Sequence, residues 1–491
     1  MQTLCFQHDR IEEYFFQEYI IEFVGIDSFN FDNIFELCRR NKIYYNGLLR
    51  YFIILFKQQN LKLFKDVVIT YATYHMDIIP KMVVEALTNT NDLAENLNYI
   101  VNKKDFENSK KMLSIILLGL DSAVQIYSSL TEKVKVIVDE LSNLSLTSFL
   151  PNEDLALFYY LKSKVYYYSN DYDTALENVN SAVRIFDKEI SHVEIYKMYI
   201  HNSVILMELG FSKKAITILE NEYKNNKEKQ NLCAMLETGI ELGRAYTHSG
   251  QTTITLALYN ELLKIDNIDA NAMARICEQK ANVLNNIMYH ELQYGFHSKE
   301  KRPNILREKI DLLFKEAVDL YQNSMDILYD SGELFTYSGV VPEKINTFIS
   351  YSFSVVETGI EECEYLIDIT NKLFSNFTTP FKTDFYLAWA YYYEYKNDIV
   401  NAQSYITKAF EVAEQLNIKN KQAKCHIFFS QFAYRRIFSK LSVQEKENWC
   451  IDGLMHLEKA LNYYNEHAML QNNLIVQDAL DLKAKFKREI T

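Results

Sequence analysis

Tyr159–Ile185 reads YYLKSKVYYYSNDYDTALENVNSAVRI, and its spacing of small, aromatic and turn residues decides the fold. Small residues stand at Ser163, Ala175 and Ala182, tyrosines at Tyr159 and Tyr166, and the polar pair Asn170-Asp171 marks a turn between two helical stretches. Two helices approach closely only where side-chain bulk is removed. Ser163 and Ala175 therefore mark the contact, and the tyrosines fill the space between successive pairs. The first small position returns at Ser203 and again at Gly243, a period of 40 residues. Gly210 and Ala215 complete the second copy, and Tyr246, Gly250 and Tyr259 the third. A fourth copy, FYLAWAYYYEYKNDIVNAQSYITKAF, carries Ala390, Tyr393, Ala402 and Ala409, and HLEKALNYY with Ala460 reads as part of a fifth.

Self-similarity at a fixed period means stacked helix pairs, each burying its apolar face only against its neighbours. The pattern is that of tetratricopeptide helix pairs, lengthened beyond their roughly 34-residue minimum. The expected fold is all-α, a right-handed helical solenoid preceded by an N-terminal helical region. Only 12 Gly and 5 Pro among 491 residues leave little material for turn-rich β architectures, and 36 Tyr with 30 Phe exclude a disordered chain. Pro151, Pro303, Pro342 and Pro380 each precede a strongly helical segment, so each is expected in a first turn.

Five sections are expected: an N-terminal helical region over 1–60, helical lead-in repeats over 61–150, tetratricopeptide repeats over 151–267, longer or irregular helix pairs over 268–378, and C-terminal repeats with a cap over 379–491. A formal charge of −13 argues against bulk coating of nucleic acid or of an anionic membrane. The seven cysteines are scattered and never spaced as CxxC, which suits reduced, mostly buried thiols in a cytoplasm. The N-terminal stretch has acidic residues within its first apolar run and does not read as a signal peptide. Apolar runs such as Met112 to Leu120 are too short to span a bilayer, so no membrane partner is expected.

No phosphate loop, dinucleotide fingerprint, nucleophile elbow or HExxH motif is present, so neither catalysis nor a cofactor is expected. His290-Glu291 followed by His297 is wrongly spaced for a metal, because the position four after His290 is Tyr294. Function is therefore expected to be binding, on the concave wall that the first helix of each pair supplies. That wall reads as Leu157, Tyr160, Lys164 and Tyr167, then Lys197, Ile200, Val204 and Met207, then Glu237, Ile240, Arg244 and Thr247. Mixed apolar and charged groups suit an extended peptide, and asparagine amides offer its backbone both a donor and an acceptor. Tyr160, Lys164, Asn202, Arg244, Asn282 and Asn286 are the candidate peptide contacts, with Asn285 beside them. Asparagines on an exposed helix face are more often solvated, or caps of nearby turns, than functional.

The stretch 44–101, beginning YYNGLLRYFIILFK, and the later Leu284-Asn285-Asn286 on a long helix resemble the peptide-pheromone receptors of Gram-positive bacteria and their phages. These include the Rap and PlcR groups, and the arbitrium receptors are the nearest in look. The resemblance covers roughly residues 10 to 300. It implies a cytoplasmic regulator that binds a short peptide in its groove and, as a homodimer, contacts operator DNA through an N-terminal helix-turn-helix. The DNA contacts would be Arg39, Arg40 and Lys42, with Arg50 on the next helix, although the same charges also stabilise a helix C-terminus. Residues 1–60 carry six Lys/Arg against eight Asp/Glu. Without DNA binding, this region would dock a protein target. The alternative expectation is a non-enzymatic scaffold that holds protein partners in a phage or bacterial defence complex.

Overall fold

The computed structural model describes residues 13–22, 31–58, 60–90, 92–101, 105–124, 130–144, 150–169, 171–186, 195–293, 304–374, 381–416, 418–439, 441–466 and 474–490. Among these there is no strand, and no helix is long and apolar enough to cross a membrane. The chain divides into two compact units, Met1–His192 and Val193–Thr491.

The first unit contains α1 (13–22), α2 (Phe31–Arg40), α3 (Lys42–Lys57), α4 (Leu61–Tyr71), α5 (Ile79–Leu87), α6 (Leu93–Ile100), α7 (Phe106–Val124), α8 (Leu130–Asn143), α9 (Asn152–Tyr168) and α10 (Tyr172–Phe186). Helices α3, α5, α7 and α9 pack in succession along one layer, and α2, α4, α6 and α8 along the other. The pairing thus begins well before residue 150. Its core runs without a break through Phe35, Phe52, Phe64, Met82, Ile116 and Leu161.

The second unit contains α11 (Ile195–Glu208), α12 (Ser212–Glu228), α13 (Leu232–His248), α14 (Thr252–Leu262), α15 (Ala270–Gln293), α16 (Asn304–Asp330), α17 (Leu334–Ser354), α18 (Ile360–Phe374), α19 (Phe381–Tyr395), α20 (Ile399–Gln415), α21 (Lys419–Ile437), α22 (Val443–Glu466) and α23 (Leu474–Ile490). The odd-numbered helices from α11 to α23 follow one another as an inner layer, each paired with the even-numbered helix after it as far as α22. The stretch that lost the small-residue pattern holds long helices: α15 has 24 residues, α16 has 27 and α17 has 21.

The small positions act as the spacing requires. Ser163 and Ala175 are fully buried, and the Ser163 hydroxyl donates to the Ala175 carbonyl at 2.7 Å. At Gly243 a Cβ would stand 2.3 Å from the Tyr259 ring, whose hydroxyl donates to the Ile240 carbonyl at 3.1 Å. Turns repeat at the same period, Gly210 and Gly250 both adopting positive φ, with Asn397 taking that role in the fourth copy. The turn residue Asn170 lies outside the described residues.

Pro342 departs from expectation. It lies inside α17, because the preceding residues also coil and bury Tyr337, Val340 and Val341, so the missing N–H falls in mid-helix. Pro151 stands immediately before α9. Pro303 and Pro380 lie outside the described residues.

Polar bonds tie equivalent points of successive pairs. Tyr45 donates to Glu85 at 2.9 Å, Lys65 to Asp105 at 2.8 Å, Ser114 to Asp154 at 2.7 Å, Tyr351 to Asp311 at 2.6 Å, and Lys424 to Asp384 at 2.8 Å. Every one of these pairs is 40 residues apart in the chain. The period read from 163, 203 and 243 is thus a structural translation in stretches where no small residue announces it.

Candidate functional site on the inner face of the second unit

Residues three and four apart share one face of a helix, so each inner helix presents one stripe. On α15 the stripe is Arg275, Glu278, Asn282, Asn285, Tyr289 and Leu292, and on α17 it is Glu343, Thr347, Ser350 and Ser354. The last two members of each line a cavity of about 660 Å³, which fixes the direction in which both stripes face. Helices α19, α21 and α23, with Asn397 and Ile399 at the start of α20, complete its wall.

At the α13 end, the buried Glu241 accepts from Arg244 Nη1 at 2.7 Å and from Arg275 Nη2 at 3.0 Å. One carboxylate therefore satisfies two guanidinium groups on adjacent inner helices, a charge-assisted arrangement that leaves both arginines about one-third exposed. His248, a turn beyond Arg244, is pushed down to about 4 by burial, with the Arg244 charge adding to the effect. It is neutral at pH 7. Glu278 is within electrostatic reach of both arginines and of Glu343. Burial pushes its carboxyl up to about 7, Glu343 adds to this, and Arg244 and Arg275 pull it back.

At the other end, burial would raise the Asp384 carboxyl, but Lys421 Nζ at 2.5 Å and Lys424 Nζ at 2.8 Å overcome it and hold it down to about 2. Arg435 donates from both Nε and Nη2 to the buried Glu394, at 2.7 and 2.8 Å, and its guanidinium lies 5.1 Å from the centre of the Tyr391 ring. Burial raises the Tyr391 phenol to about 12, so it stays a neutral donor. The cavity wall adds the apolar groups Leu292, Phe353, Ile427, Tyr434 and Leu482. The face as a whole alternates satisfied ion pairs with half-exposed amides, hydroxyls and aromatic rings.

The candidate peptide contacts fall in both units. In the first, Lys164 Nζ lies 4.5 Å over the Tyr160 ring and 3.0 Å from Asp121, so the two residues meet in a cation–aromatic contact tied to a carboxylate. In the second, Arg244 joins the Glu241 pair. Asn202 is buried on α11, Asn282 accepts from the hydroxyl of the fully buried Tyr321 at 2.7 Å, and Asn286 is exposed. It is Asn285 whose side-chain carbonyl is buried without a hydrogen-bond partner.

The candidate DNA contacts differ among themselves. Arg39 donates from Nε and Nη2 to the two carboxylate oxygens of Asp77, both at 2.7 Å, and also pairs with Glu36. Arg50 pairs at 2.6 Å with Glu13, which also accepts from Asn46. Arg40 and Lys42 are exposed and take part in no ion pair among the described residues. Between α2 and α3 stands only Asn41, which caps α3 by accepting from the Ile43 N–H.

Glu241, Arg275, Asp384, Lys424, Glu394 and Arg435 were not singled out in the sequence. Their signal is opposite charge one repeat apart: 34 residues for Arg275 to Glu241, 40 for Lys424 to Asp384 and 41 for Arg435 to Glu394. Among the described residues no group of three His, Cys, Asp or Glu could hold a metal ion. Cys38, Cys277, Cys363, Cys425 and Cys450 are buried free thiols, and Cys233 is an exposed one.

No family model matches the chain, and no curated protein matches it. It is similar to several solved structures. The Rap conjugation gene regulator of the plasmid pLS20, in complex with the Phr* peptide, is 14% identical with a TM-score of 0.45, over 76% of this chain and 96% of that one. The apo form of the quorum sensor NprR from B. thuringiensis is 12% identical with a TM-score of 0.44, over 88% and 98%. A human IFIT1 dimer with PPP-AAAA is 12% identical with a TM-score of 0.45, over 98% and 95%.

Proposed function

We propose that the second unit binds a short peptide, in extended form, along its inner face, and that the chain is a peptide-responsive regulator. The observation that carries this is the alternation just described, from the Glu241 cluster at α13 to the cavity at α23. An extended backbone needs donors and acceptors along its length, while its side chains need pockets. Charges already paired within the wall require no ligand charge to satisfy them. The amides, hydroxyls and rings between them, with the exposed parts of the paired arginines, are what a peptide would meet. Arg40 and Lys42 on the first unit are the exposed cations assigned to the regulated target, taken as operator DNA.

Native mass spectrometry of the full chain, mixed with a pooled library of short peptides, tests the proposal. A retained peptide whose signal falls with Arg244→Ala and Asn286→Ala, at an unchanged unfolding midpoint, is the expected result. Glu241 keeps Arg275 in the first variant, so the fold should hold. No retained peptide, with a larger protein recovered from a lysate instead, would overturn it in favour of a scaffold.

A further inference from the structure

The cavity at the α23 end holds two neighbouring arginines in different electrostatic states. Arg435 is committed to Glu394 through two hydrogen bonds. Arg436 lines the same cavity, takes part in no ion pair or side-chain hydrogen bond among the described residues, and keeps its Nε buried without a partner. Ser354 Oγ, on α17, lines the cavity too and is likewise buried and unpartnered. A guanidinium edge offers two parallel N–H groups, and its natural complement is a carboxylate. Buried donor atoms left unpaired carry a free-energy penalty that such a ligand removes.

The geometry points to a binding site for a carboxylate carried on a bulky apolar body. The anion pairs with Arg436, with Ser354 as a further donor, and Phe353, Ile427, Phe438 and Leu482 enclose the body. Asp478 and Asp481 line the wall from α23. Their charge disfavours a phosphate dianion more than a singly charged carboxylate, since the repulsion grows with the charge of the ligand. Two sources carry this chemistry: the C-terminal residue of a peptide, or a free aromatic acid. For the first source the assignment rests on the function proposed above.

Calorimetry and saturation-transfer NMR on the full chain, with N-acetyl-phenylalanine and its amide as probes, test the site. The acid should bind, the amide about tenfold more weakly, as loss of one charge-assisted pair implies. Arg436→Gln should bring the acid down to the amide's level, and Leu482→Trp should weaken both by filling the cavity. If Arg436→Gln does not fold, Ser354→Ala should still weaken the acid selectively. Equal binding of acid and amide, a preference that survives Arg436→Gln, or no binding of either probe overturns the site.

A short peptide ending in phenylalanine separates the sources: binding stronger than the acid probe assigns the site to a peptide terminus, and weaker binding to a free acid. Peptides that bind equally with free or amidated ends, and are indifferent to Arg436→Gln, overturn the peptide terminus as the occupant of this site and leave the proposed function standing. Binding of the acid probe with no peptide bound anywhere does the reverse.

Discussion

The carboxylate of Asp384 on α19 lies 2.8 Å from the ammonium of Lys424 on α21, and Lys421 closes on its other oxygen at 2.5 Å. Asp384 is buried, whereas Lys424 keeps nearly half of its side chain in water. The acid therefore needs its partners more than they need it.

Asp384→Asn should destabilise the second unit by roughly 1–3 kcal/mol at pH 7, discounted for the exposure of Lys424. The wild-type carboxyl titrates near 2, below its ordinary value of 3.8, so its contribution is present above about pH 4 and is lost as pH falls toward 2. Thermal unfolding of both proteins across that window should show the gap closing with acid. A gap that stays constant would mean the ion pair does not set the difference.

Glu278→Gln should behave oppositely. A carboxyl raised to about 7 takes up protons on folding, so wild-type stability should decline as pH rises from about 4.5 to 7 and level off above it. The variant, which has no proton to lose there, should show a flatter profile and match or exceed wild type above pH 7. Denaturant melts at stepped pH would measure this.

Gly243→Ala tests the close approach of α13 and α14. Alanine improves helix propensity by about 1 kcal/mol, but its Cβ would fall 2.3 Å from the Tyr259 ring. Overpacking of about 1–3 kcal/mol should win, and more if the ring cannot shift. Combining it with Tyr259→Leu should give a loss smaller than the two single losses added, read by a double-mutant cycle.

In the first unit, Arg39→Ala should cost up to about 1 kcal/mol, because it abandons Asp77 at a largely exposed pair. Arg40→Ala with Lys42→Ala should leave the unfolding midpoint unchanged. If these two contact an operator, the double variant should weaken DNA binding across all sequences and flatten its salt dependence, measurable by fluorescence anisotropy. DNA affinity identical to wild type would rule them out as phosphate contacts.

The helix-pair architecture was legible because steric exclusion leaves a mark at single positions: Ser163, Ser203 and Gly243 must be small whatever surrounds them. Pro342 misled because proline is commonest in a first turn, and burial of Tyr337 and Val341 outweighed that preference. The inner charge clusters were hidden for a different reason. Glu241 and Arg275, or Glu394 and Arg435, meet only after the chain has completed another helix pair, so neither residue looks unusual beside its sequence neighbours. Asn282 illustrates the limit of residue type alone, since its amide serves the buried Tyr321 hydroxyl. The orphaned carbonyl belongs to Asn285, one turn before the cavity-lining Tyr289.

The bonds that join residues 40 apart also constrain how such a chain can change over time. Replacing Asp384 alone strands two lysines, and replacing Lys65 alone leaves Asp105 without its ammonium. Neutral drift at these positions should therefore proceed by compensated exchanges, one at the same point of each of two successive repeats. Among descendants of this chain, correlated substitution should appear as a band displaced from the diagonal by one repeat length, and a repeat lost should leave its neighbours to re-form the same bonds with each other.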